Sequence, residues 1–97
     1  MKTCDEVLKI LSATKSILER RYKLSRIALF GSYARGDQHD GSDVDILVEV
    51  DPSIGLGFVS LADELEQLLG EPVELVSRRA VTPRHWEVIE PELIDVK

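Results

Sequence analysis

Apolar residues recur at helical spacing through residues 5–22, where Val7, Leu8, Ile10, Leu11, Ile17, Leu18 and Tyr22 fall at i, i+3, i+4 and i+7. Lys9, Lys15, Glu19 and Arg20 take the opposite side, so the pattern predicts an amphipathic helix, with Thr3 or Asp5 available as its cap. Arg26–Phe30 is a short apolar run that stops at Gly31, which is how a buried strand reads. Residues 32–36 can then form a short helical turn, and residues 38–41 form a polar loop. From Val44 to Val50 the period changes to two. Asp43, Asp45 and Leu47 share one face of a second strand, and Val44, Ile46 and Val48 share the other.

Asp51-Pro52-Ser53 ends that strand, and a helix is expected over 58–69 with Phe58, Leu61, Ala62, Leu65, Leu68 and Leu69 as its apolar stripe. Gly70 and Pro72 stop it. Val73–Val76 is the third strand. Thr82-Pro83 reads as an N-cap with proline at the first helical position, opening a helix to about Glu90 that Pro91 terminates. The tail Leu93–Val96 is either a last edge strand or an irregular end. The order α-β-α-β-α-β-α predicts one α/β (α+β) domain over residues 1–97.

Composition narrows the function. Twelve Lys and Arg against 18 Asp and Glu leave a formal charge of −6, which disfavours a grip on nucleic acid built from many phosphate contacts. An acidic excess also suits a site loaded with divalent cations. Cys4 is the single cysteine, so neither an internal disulfide nor a cysteine metal cluster can form. No run approaches the ~20 apolar residues of a membrane span and no signal-peptide pattern appears, so a cytoplasmic location is expected. The first helix carries too few cations for a membrane-surface role. Gly55 and Gly57 lack the third glycine and the downstream acid of a dinucleotide fingerprint, and are read as loop flexibility.

Two stretches carry candidate chemistry. Gly31-Ser32 stands where a strand feeds a helix start, a place where free backbone N–H groups converge and attract anions. Glycine allows close approach to a phosphate, and the serine hydroxyl adds a donor. Asp43 and Asp45 stand two residues apart, about 6.6 Å along a strand, and project from one face. Carboxylates so placed can share two magnesium ions about 3.5–4 Å apart, which bridge a triphosphate and steady the attacking and leaving oxygens of an in-line displacement. Glu74, between Val73 and Leu75, supplies a third acid if the second and third strands are neighbours about 4.8 Å apart. It is also the candidate acceptor of the nucleophile's proton. His39, the pair Arg78-Arg79 and His85-Trp86 are read as a solvated loop residue, a solvated pair, and a partly buried anchor.

The run Gly31-Ser32-Tyr33-Ala34-Arg35-Gly36-Asp37, followed by Ser42-Asp43-Val44-Asp45-Ile46-Leu47-Val48, resembles the signature of the minimal nucleotidyltransferases, the small members of the DNA polymerase beta-like superfamily. The similarity spans residues 24–78. It implies a small mixed sheet with flanking helices, ATP as substrate and two Mg2+ ions, with Mn2+ as the alternative metal. It assigns Gly31, Ser32, Arg35 and Ser42 to the nucleotide's phosphates and Asp43, Asp45 and Glu74 to metal ligation and catalysis. At Glu74 the family usually has aspartate, so this chain is longer there by one methylene. Asp37 is expected to brace the turn. Larger relatives carry an extra helical domain for the acceptor, and this chain is expected to rely on a partner.

The resemblance further implies an antitoxin that transfers AMP onto a tyrosine of a HEPN-type toxin. Two alternatives are an antitoxin that silences its partner by binding alone, and transfer to a hydroxyl of a small molecule. Nothing in the sequence marks an acceptor pocket for the last.

Overall fold

A computed structural model describes all residues, 1–97. Helix α1 runs Cys4–Tyr22, strand β1 Leu24–Phe30, helix α2 Gly31–Arg35, strand β2 Val44–Val50, helix α3 Gly57–Leu69, strand β3 Val73–Ser77, helix α4 Pro83–Ile89 and strand β4 Ile94–Asp95. Single 3₁₀ turns lie at Pro52–Ile54, Arg78–Ala80 and Glu90–Glu92. No helix is long and apolar enough to cross a membrane.

Local signals explain where the elements begin and stop. Thr3 caps α1 in a reciprocal box: its hydroxyl accepts from the Glu6 N–H at 3.2 Å and its own N–H donates to Glu6 Oε1 at 2.9 Å. That bonding holds the Glu6 carboxyl below its ordinary pKa. Lys23 closes the helix in the left-handed region, at φ 53°. Thr82 caps α4 as its sequence suggests, accepting from the His85 N–H at 3.3 Å. Gly70 ends α3 with φ +66° and an N–H bonded to the Glu66 carbonyl at 2.8 Å.

The strands form one sheet in the order β3-β2-β1-β4. β1 pairs antiparallel with both β2 and β4, whereas β2 pairs parallel with β3 through the α3 crossover. The mixed sheet implied by the resemblance is therefore present, and the tail resolves as an edge strand. Ile94 and Asp95 find the free edge of β1 opposite Leu29 and Ala28.

The core fills one side of this sheet. Ile27, Leu29, Val44, Ile46 and Val48 meet Val7, Leu11 and Leu18 of α1 and Leu61, Leu65 and Leu69 of α3. Tyr33 joins them from α2, its ring fully buried, and thereby anchors the short turn that carries Gly31 and Ser32. Burial of the ring favours the fold, and its hydroxyl, buried without a hydrogen-bond partner, offsets that gain by about 1–3 kcal/mol. On the opposite face Ala28 and Leu47 pair across the strands and are also inaccessible to solvent. The turn at 78–80 lies against β2, and the turn at 90–92 lies against α2. Arg78 is stacked 3.7 Å over the Trp86 ring, so it is not a freely solvated cation.

Candidate active site

The site gathers where β1 ends and β2 and β3 begin. Antiparallel register sets Asp45 opposite Phe30, one residue before Gly31, and parallel register sets Asp45 opposite Glu74. Flanking Val44 and Ile46, both without solvent exposure, fix the strand on either side of Asp45. Asp45 and Glu74 thus arrive by strand alternation and by the neighbouring of β2 and β3, whereas Asp43, expected on the same strand face, falls before the first residue of β2.

Gly31 serves this arrangement in a way the sequence does not reveal. Its φ is +75°, and a Cβ added there would lie 2.0 Å from Asp45 Oδ2 and 2.9 Å from Asp45 Cγ. The residue must be glycine for its backbone conformation and also because the Asp45 carboxylate occupies the space a side chain would take.

Asp45 faces Glu74 across the parallel strands, and the Asp45 pKa is pushed up from 3.8 to about 6. Partial burial is the largest cause, followed by the neighbouring Glu74 carboxyl and by the charge of Asp43; Arg35 opposes them. A proton on Asp45 relieves its repulsion by the neighbouring carboxylates. Asp43 is exposed and lies just outside β2, which begins at Val44, whose N–H donates to the Pro72 carbonyl at 2.8 Å. No three His, Cys, Asp or Glu side chains come together into a group that could by itself hold a metal ion. The preformed element is the Asp45–Glu74 pair, with Asp43 near enough for its charge to be felt.

The donor side is built on α2. The Ser32 carbonyl accepts from the Gly36 and Asp37 N–H groups at 2.9 and 3.0 Å, closing the turn on Gly36 at φ +80°. Arg35 Nε donates to Asp37 Oδ2 at 3.1 Å, the bracing role expected of Asp37. Ser42 closes the loop before β2, its Oγ accepting from the His39 N–H at 3.0 Å and its N–H donating to the His39 carbonyl at 2.9 Å. His39 is exposed in that loop.

Sequence reasoning missed Glu92. Its Oε1 accepts from the Gly31 N–H at 3.2 Å, and its Oε2 accepts from Arg35 Nη1 at 2.7 Å. The Gly31 amide expected to face phosphate is therefore engaged by a carboxylate 61 residues away. No spacing rule connects those positions; the one available signal was an acid next to Pro91 in a segment returning to the sheet edge.

Chemically, the arrangement offers hard oxygen donors on one side and N–H, hydroxyl and guanidinium donors on the other. The profile of the nucleotidyltransferase domain family matches residues 11–96. A candidate protein adenylyltransferase of Methanocaldococcus jannaschii, MJ1379, is 44% identical over 101 residues, covering 99% of this chain and all of that protein. A solved structure of a candidate minimal nucleotidyltransferase superposes with a TM-score of 0.82 at 33% identity, covering 96% of this chain and 95% of the other. A chain in the structure of the tri-AMPylated HEPN toxin of Shewanella oneidensis in complex with MNT antitoxin superposes with a TM-score of 0.66 at 25% identity, over 93% of this chain and 71% of that one.

Proposed function

Because the chain belongs to the nucleotidyltransferase domain family and is a nucleotidyltransferase, we propose that it transfers AMP from ATP to a tyrosine hydroxyl of a HEPN-type toxin and so acts as its antitoxin. The observation that carries this reading is Asp45, packed against Gly31 and set beside Glu74 by the parallel register. The AMPylated toxin in the similar complex from Shewanella oneidensis supports AMP as the group transferred and a HEPN-type toxin as the protein that receives it.

Asp45 and Glu74 suit Mg2+, since they are hard carboxylate donors whose charges raise the Asp45 pKa without a cation, and Asp43 would complete the set for a pair of ions by moving in from the edge of β2. When bound, such ions neutralise the carboxylates and the triphosphate and hold the reacting oxygens in line. Ser32, Ser42 and Arg35 bind the phosphates. Gly31 contributes by admitting Asp45. The acceptor oxygen attacks the α-phosphorus, the bond to the bridging oxygen breaks, pyrophosphate leaves, and the hydroxyl proton passes to Glu74.

Incubating the chain with ATP labelled in its α-phosphate, magnesium and a HEPN-type toxin from the same organism is expected to label that toxin. Asp43→Asn and Asp45→Asn should each remove the label, as should EDTA. Undiminished labelling by Asp45→Asn contradicts the catalytic reading. Protection of cells by that unlabelling variant assigns neutralisation to binding alone.

A further inference from the structure

Glu92 belongs to none of the motifs read from the sequence, yet it is tied to two residues of the Gly31–Arg35 turn. Its Oε1 accepts from the Gly31 N–H at 3.2 Å and its Oε2 from Arg35 Nη1 at 2.7 Å. The chain fixes it there. Pro91 stands in the 3₁₀ turn at 90–92, the Leu93 N–H closes that turn on the Glu90 carbonyl at 3.2 Å, and β4 follows at once, paired with β1. Gly31 directly follows β1, so the two sheet partners bring the carboxylate and the turn together. The Glu92 side chain is 26% exposed, against 48% for Arg35.

Arg35 is otherwise a long surface side chain, free to sample many rotamers. Here two carboxylates hold it, Asp37 at Nε and Glu92 at Nη1, and Nη2 remains for an incoming anion. The same Glu92 carboxylate fixes the peptide N–H of Gly31, the residue against which Asp45 packs. One side chain therefore constrains both halves of the site.

We infer that Glu92 is a positioning residue for nucleotide binding, aiming the Arg35 guanidinium at the triphosphate by clamping it to the Gly31 peptide. This rests on the reading of Arg35 as a phosphate-binding residue. Clamping before the ligand arrives lowers the ordering cost of binding. Glu92 has no part in bond making and acts through Arg35 and Gly31.

The test is a double-mutant cycle read as the dissociation constant of a non-hydrolysable ATP analogue with magnesium, measured by titration calorimetry beside the melting temperature of each variant. Glu92→Ala is expected to weaken binding about five- to tenfold and Arg35→Ala at least as much. The double variant should bind no more weakly than Arg35→Ala alone. Glu92→Gln, which keeps an acceptor for the Gly31 N–H and loses the charge, should fall between wild type and Glu92→Ala. A lower melting temperature with unchanged binding in Glu92→Ala leaves a merely structural contact and overturns the inference. Tighter binding overturns it too, since the carboxylate is then an occupant of the phosphate position. Full multiplication of the two losses makes the residues independent. Unchanged binding in Arg35→Ala refutes the Arg35 reading itself, which separates the two failures.

Discussion

Strand β2 has two faces produced by one alternation, and they differ in what they do for the folded state. Val44, Ile46 and Val48 point into the layer formed with α1 and α3 and are wholly removed from water. Asp45, on the other side of the same strand, is brought against a second acid and has its pKa pushed up to about 6. The first face supplies the favourable burial that holds the sheet. The second spends part of it on a carboxyl pair that repels itself whenever both members are charged. The rigid placement of Asp45 comes from its buried neighbours, so the chemistry depends on the dry face while working against its stability.

That contrast predicts different outcomes for substitutions on the two sides. On the dry side, Leu65→Ala should lower unfolding free energy by about 3 kcal/mol, read from urea denaturation, while transfer per folded molecule stays at the wild-type level. A comparable loss of transfer would mean that the two faces are not separable. Gly31→Ala joins the faces: its left-handed backbone and its contact with Asp45 should cost about 2 kcal/mol. The displaced carboxylate should lower transfer by about 100-fold.

Asp45→Asn is expected to act in opposite directions, removing transfer and raising the stability of the metal-free protein by about 1 kcal/mol at pH 7.5. The sign follows from the proton. Asp45 binds a proton more tightly when folded, about 6 against 3.8, so its contribution to stability is complete below pH 4 and is lost as the pH rises through 6. Urea midpoints of the wild type measured in EDTA should therefore fall across that window relative to those of Asp45→Asn. The smallest effect is expected at Arg78→Ala, which removes the stack on Trp86 at a cost of about 0.5 kcal/mol and leaves transfer unchanged.

The two faces were not equally visible in the sequence. The dry face announces itself through spacing alone: the Leu61, Leu65 and Leu69 stripe and the Val44, Ile46, Val48 alternation are local patterns, as are the Thr3 and Thr82 caps. Asp45 and Glu74 were also within reach, because a parallel β2–β3 pair with a helical crossover sets them side by side. What stayed hidden depends on contacts between distant segments. Gly31 makes room for Asp45 through cross-strand register, and Glu92 reaches Arg35 across 57 residues; the tail, readable as an edge strand or an irregular end, is decided by the free edge of β1. Arg78, read as solvated, is turned onto Trp86 by the chain reversal after β3.

The most direct measurement compares the thermal stability of wild type and Asp45→Asn at pH 7.5 in two conditions, EDTA alone and magnesium with a non-hydrolysable ATP analogue. A carboxyl pair kept for divalent cations and nucleotide makes Asp45→Asn the more stable protein in EDTA and the less stable one with ligand, because only the wild type gains binding free energy there. The same order in both conditions, or no shift of the wild type on adding magnesium and nucleotide, would contradict the assignment of Asp45 and Glu74 to the metal–nucleotide site.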